Sequence, residues 1–203
     1  MRRPPIIALA VVASAVAASA ATAGPASCVP AGAQRLAHAG AAALYSQGGA
    51  LYGCLGAQRT RLGVAPGTRR LGATHVARYA LAPRFAGIAT VTNGVDTLAS
   101  TVSVFDLAAG APVAMAPATT PERRAESFVS VVALVIDPHG TLAWIGERSA
   151  VGAFTPIYEV HALAGTIDQL LASSPKIAAR SLALSGETLS WRESGRTRSA
   201  KLR

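Results

Sequence analysis

Val129-Ser130-Val131-Val132-Ala133-Leu134-Val135-Ile136 runs into Asp137-Pro138-His139-Gly140 and emerges as Thr141-Leu142-Ala143-Trp144-Ile145. The first run is apolar and rich in β-branched residues, which suits a strand. The middle is turn chemistry. Asp bonds to nearby backbone, Pro presets φ, and Gly accepts conformations that other residues avoid. The last run reads as the returning strand. This stretch predicts a hairpin, and the rest of the chain repeats its pattern.

Downstream, Ser181-Leu182-Ala183-Leu184 turns at Ser185-Gly186-Glu187 into Thr188-Leu189-Ser190-Trp191. A second turn at Glu193-Ser194-Gly195 leads into Arg196-Thr197-Arg198-Ser199-Ala200-Lys201-Leu202. Short turns of this kind predict a meander. Upstream, Val102-Ser103-Val104-Phe105-Asp106-Leu107 reads as a half-buried strand ending in an Ala108-Ala109-Gly110 turn. Two segments read otherwise. Ala33 to Leu44 has the propensity for a short helix, and Ile167 to Ala172 for one helical turn. Pro112, Pro117 and Pro121 bracket a loop at Ala116 to Arg124.

The strand pairs resemble one another. Leu134-Val135-Ile136 with Leu142-Ala143-Trp144 matches Leu182-Ala183-Leu184 with Leu189-Ser190-Trp191. Ala43-Leu44-Tyr45 with Leu51-Tyr52 reads as a third copy, and Val76 to Tyr79 with Phe85 to Ile88 as a fourth. Tyr52, Trp144 and Trp191 then mark an even period, with one landmark missing. Val102 to Gly110 also matches Tyr158 to Gly165 with one residue deleted. A small antiparallel sheet cannot bury both faces alone, and stacking units face to face buries them.

Val104-Phe105-Asp106-Leu107-Ala108-Ala109-Gly110 resembles the outer strands of bacterial β-propeller repeats. With Phe128 to Val131, Ala143 to Gly146 and Arg196 to Ala200, the chain resembles secreted β-propeller-like proteins of actinobacteria that have no assigned activity. The resemblance implies an all-β domain of repeated antiparallel meanders, about four units of roughly 40–50 residues. It brings no catalytic residues. The first and last units read as three-stranded, so the repeats form either an open stack or a ring closed through the termini.

Composition agrees with one domain. The 203 residues are 51% hydrophobic and only 5% aromatic, and 45 are alanine. The larger apolar residues suffice for one ordinary core. Nineteen glycines without a period of three exclude collagen, and two cysteines exclude a disulfide-dense miniprotein. A single long apolar run, Ile6 to Ala23, excludes a polytopic membrane protein. Arg2 and Arg3 precede that run, and Ala21-Thr22-Ala23 ends it as an A-x-A cleavage site. This predicts a signal peptide at 1–23 and a single β-repeat domain at 24–203, secreted or in the cell envelope. An uncleaved anchor and a lipid on Cys28 are the competing readings. Pro25-Ala26-Ser27 is a poor lipid-attachment context.

In an oxidising compartment Cys28 and Cys54 pair most simply as one disulfide. No residue spacing marks an active site. His38, His75, His139 and His161 form no metal-ligand spacing, and no nucleophile elbow or phosphate loop occurs, so neither metal, cofactor nor catalytic residue is predicted. Strand alternation predicts an exposed His161, and His139 a solvated turn position. Asp96, Asp106, Asp137 and Asp168 adjoin turns, where Asp serves local backbone. Asn93 to Thr97 lacks the acidic spacing of a calcium loop.

The formal charge is +9. Arg192, Arg196, Arg198, Lys201 and Arg203 gather at the C-terminal end, opposed only by Glu193. They suit an anionic envelope polymer, or they keep an edge strand soluble. Export and the absence of interleaved aromatics argue against nucleic acid. The leading expectation is a secreted, non-enzymatic binding or interaction module acting on an envelope polymer or another protein. Its competitors are a secreted hydrolase with a central groove and an anchored structural protein of the envelope.

Overall fold

The computed structural model describes residues 28–66, 72–95, 97–121, 127–150, 152 and 154–202. The expected signal segment 1–23, Asp96 and Arg203 lie outside the described residues. Among them there are strands and turns and no helix, and nothing helical is long and apolar enough to cross a membrane.

Four antiparallel meanders follow one another. Unit one holds β1 (Gln34–Ala39), β2 (Ala42–Gln47), β3 (Ala50–Leu55) and β4 (Gln58–Val64). Unit two holds β5 (Thr74–Leu81), β6 (Phe85–Asn93), β7 (Leu98–Asp106) and β8 (Ala111–Pro117). Unit three holds β9 (Ser127–Ile136), β10 (Leu142–Ala150), β11 (Ile157–Ala164) and β12 (Ile167–Ser174). Unit four holds β13 (Ala183–Ser185), β14 (Thr188–Glu193) and β15 (Arg196–Lys201). Units two and three join through a single parallel bridge, Leu98 to Phe128. The turns carry the chemistry that hairpins need. Gly48-Gly49 and Ser194-Gly195 both sit at positive φ, which matches the strand twist of a two-residue hairpin.

Each meander alternates, and the inward side chains of each find a neighbour in the next. Leu44, Leu51 and Leu62 of unit one pack on Val76, Ala86, Ile88 and Leu107 of unit two. On the other side of unit two, Ala89, Val102 and Val104 pack on Leu142, Trp144 and Leu163 of unit three. The opposite face of unit three, with Ala143, Ile145, Val160 and Ala162, packs on Leu189 and Trp191 of unit four. The four meanders are therefore stacked with three apolar layers between them, units two and three counting as one eight-stranded sheet through their bridge. The first strands also neighbour one another: β1 lies against β5, β5 against β9, and β9 against β13.

The two ends of the stack differ. The outer face of unit one is covered by the segment before β1, where Cys28, Val29 and Ala33 pack on Ala43, Tyr45, Tyr52 and Cys54. Cys28 and Cys54 are disulfide-bonded with Cα atoms 5.9 Å apart, and the Tyr45 and Tyr52 rings stack at 5.3 Å. The outer face of unit four carries Ser185, Thr188, Arg192 and Lys201 and is exposed.

Several sequence expectations change. Ala33 to Leu44 is not a helix, because Gly40 reverses the chain and β1 pairs with β2. Ile167 to Ala172 belongs to β12, held in the ladder by β11. Unit one has four strands rather than three. Its proposed repeat copy is slipped by one strand. Leu44-Tyr45 and Leu51-Tyr52 are second and third strands, whereas the copies at Ile136/Trp144 and Leu184/Trp191 are first and second. The first strands begin at 34, 74, 127 and 183, so the period is uneven. The lengths of the connecting segments differ between units, and an even landmark spacing does not survive that. The third-strand match of Val102 to Gly110 with Tyr158 to Gly165 holds in β7 and β11.

Candidate functional site

The densest polar chemistry lies where the chain leaves β8 and crosses onto unit three. Ala118 to Thr120 runs over the face formed by β10 and β11. The Trp144 indole Nε1 is fully buried there and donates to the Ala118 carbonyl at 2.7 Å, the partner that a buried indole requires. Ala118 N donates to the Ser100 carbonyl at 3.0 Å. Gly146 makes the close approach possible. A Cβ added there would stand 2.0 Å from the Ala118 carbonyl oxygen and 2.8 Å from Thr119 Cγ2. A Gly146→Val variant is therefore expected to displace this segment and lose about 1–3 kcal/mol in urea unfolding. Parental stability would show that the segment yields freely.

Below the segment, cross-strand register places Trp144 opposite His161 and Gly146 opposite Glu159. Glu159 is the hub. Its Oε2 accepts the Thr120 amide at 2.7 Å and lies 3.1 Å from His161 Nε2, while its Oε1 accepts Arg148 Nε at 2.9 Å. His161 Nδ1 lies 2.9 Å from Asp168 Oδ1 on β12. The imidazole stacks on Trp144 with centroids 5.0 Å apart and planes 6° from parallel. Glu159 is 1% exposed and His161 2%. Burial pushes the Glu159 carboxyl up. The Thr120 amide, His161 and Arg148 oppose it and hold the group below the ordinary glutamate value.

A cleft of about 340 Å³ opens beside this network, between units two and three. Ser100, Pro117, Thr119, Thr120, Val129 and Arg148 line it. Arg148 and Thr120 belong to both network and cleft. Glu159 and His161 do not line it. Both nitrogens of His161 are engaged by carboxylates, so the ring acts as a clamp between β11 and β12 and faces no substrate space. The chemistry of the cleft wall is hydroxyl and backbone hydrogen bonding beside one guanidinium.

The chain matches no protein-family model and no curated protein. The site is therefore read from its own residues.

His161 is not exposed as alternation suggested. The period is right, but the face it lies on is covered by Ala118 to Thr120 of unit two. Asp168 does not serve a turn; it reaches across to His161. Asp106 and Asp137 do hold turns. Asp106 Oδ1 accepts the Ala108 amide, and Asp137 Oδ1 accepts those of His139 and Thr141. Asp106 also pairs with Arg84, whose hydrogen bond holds its carboxyl below the ordinary aspartate value. His139 is exposed in its turn, as read. Among the described residues no group of three or more His, Cys, Asp or Glu is arranged to hold a metal ion.

Arg196 and Arg198 share one face of the C-terminal sheet, and Arg192 and Lys201 the other. β15 pairs with β14 so that Arg196 lies opposite Glu193 and Arg198 opposite Trp191. Arg192 and Lys201 lie opposite Thr197 and Thr188. All four are exposed, and Arg198 Nε stands 3.4 Å from Glu193 Oε2. Sequence reading missed Glu159, Arg148 and Trp144 as a group. The only signal was three polar residues, Glu159, His161 and Asp168, set in a segment otherwise dominated by apolar residues.

Proposed function

We propose that this chain is a secreted, non-enzymatic binding module built as a β-propeller-like stack, and that its target is an anionic polymer of the cell envelope. The observation that carries the reading is the surface of unit four. Arg192, Arg196, Arg198 and Lys201 are all exposed on one small sheet with Glu193 as their nearby acid. Cations spread over both faces of a terminal sheet suit a flexible polyanion that wraps an edge better than a flat one-sided contact. The framework supports the non-enzymatic part. The Glu159–His161–Asp168 cluster is spent on holding the segment Ala118 to Thr120 and faces no cleft. The Cys28–Cys54 disulfide belongs to an oxidising, non-cytoplasmic compartment. The neighbouring first strands β1, β5, β9 and β13 support the propeller-like arrangement, although the described hydrophobic layers join units one to four in sequence and none joins four back to one.

Heparin affinity chromatography tests the target. The parent chain is expected to be retained and to elute at higher salt than an R192Q/R196Q/R198Q/K201Q variant, because each lost cation lowers the salt dependence of polyanion binding. Coincident elution would reject unit four as the contact.

A further inference from the structure

A second cavity, of about 410 Å³, lies where β5 meets β9. Its volume falls in the range of small-molecule sites. The strands around it are modified at this place. β5 carries a bulge at Ala77, between the pairs Val76–Thr90 and Arg78–Ala89. β9 carries one at Val132, between the pairs Ile145–Ala133 and Gly146–Val131. Both bulged residues line the cavity. The bulge in β5 has a direct consequence for side-chain direction. In an unbroken strand residues 75 and 78 point to opposite faces. The inserted residue puts His75, opposite Val91, and Arg78, opposite Ala89, on the same face as Asn93.

His75, Arg78 and Asn93 all line this cavity, and none of the three side chains has a hydrogen bond or ion pair to a described residue. His75 is 7% exposed, and its Nδ1 is closed off from solvent without a partner. A buried polar atom in that state costs about 1–3 kcal/mol unless something satisfies it. The rest of the wall is mostly apolar, with Val91, Leu98, Val131 and Val132 beside Ser130.

We propose that this cavity binds a small carboxylic acid with an apolar body. Arg78 supplies the fixed positive charge, Asn93 a further donor, and the His75 ring is part of the wall. The valine and leucine wall takes the hydrocarbon. The carboxylate is preferred over phosphate because the wall is mostly apolar. The site is separate from the basic surface of unit four, so the failure of either assignment leaves the other intact.

The probes are benzoate, hexanoate, benzyl alcohol and inorganic phosphate, followed on the full folded chain by NMR of the His75 ring protons. Benzoate and hexanoate are expected to shift them saturably, and benzyl alcohol and phosphate to leave them unmoved. In R78Q, benzoate affinity should fall about tenfold or more, the scale of losing a charge-assisted hydrogen bond. An R192Q control should bind as the parent does. Arg78 is exposed, so R78Q is not expected to disturb folding. Equal shifts from benzyl alcohol, or unchanged affinity in R78Q, would overturn the carboxylate assignment. Equal shifts from phosphate would reduce the site to an anion hole and overturn the apolar half. No shift from any probe would overturn the site.

Discussion

Replacing Glu159 by alanine should destabilise the protein by about 3 kcal/mol or more, the usual cost of stripping one partner from a buried charged network. Glu159 accepts from Thr120 and Arg148 and contacts His161, so its loss leaves a guanidinium, an imidazole and a backbone amide facing a hole. For a domain of this size, that corresponds to a fall in Tm of roughly 6–12 °C. E159Q keeps the shape and removes the charge, and it should lose most of the same stability. A variant in which Glu159, Arg148 and His161 are replaced by apolar residues of similar volume and Asp168 by asparagine should recover much of it, because then no charge of the network is left without its partner. Thermal melts of the three variants decide the matter. A harmless E159A would show that the network holds nothing.

The same hub sets a pH dependence. Glu159 and Asp106 both have folded-state carboxyls below their ordinary values. A group of this kind contributes stability above its unfolded value, and the contribution is lost as pH falls through the folded value. Melts should therefore be steady near neutrality and decline below about pH 4, where carboxyls protonate. In E159Q the decline should be shallower. An identical slope in both proteins would remove Glu159 from the account.

The second large effect belongs to the disulfide. Reducing Cys28–Cys54, or replacing both residues by serine, opens a loop of 26 positions. The chain-entropy model assigns about 3 kcal/mol to a closure of that length. The loss should exceed that figure, because the bond also pins the cover over Tyr45 and Tyr52. Urea unfolding with and without reductant measures it. Thiol labelling of the oxidised chain should find no free thiol, and a reactive thiol in the native protein would contradict the pairing.

The sequence showed the strands well where turn chemistry punctuated them. Asp137 to Gly140 and Ser194-Gly195 both mark hairpins that exist. It failed where propensity competed with pairing. Alanine-rich Ala33 to Leu44 reads as helix in isolation, and only the ladder to β2 and β3 overrides it. The candidate sites were less legible, for two reasons. Glu159, His161 and Arg148 meet through cross-strand register, and their cover comes from 39 residues upstream of Glu159. Arg78 reaches the face of His75 only through a bulge, which no residue type announces. The disulfide was legible because only one pairing was available.

The dressing of the two end sheets limits what the molecule can become. A row of sheets that pack face to face has a natural way to grow, since the last sheet of one copy can serve as the platform for the first sheet of another. Here one terminus is sealed by its own leading segment, locked by Cys28, and the other presents Ser185, Thr188, Arg192 and Lys201. Neither surface offers a dry partner to the other. End-to-end stacking of one copy's last sheet on another's first is therefore disfavoured by both surfaces.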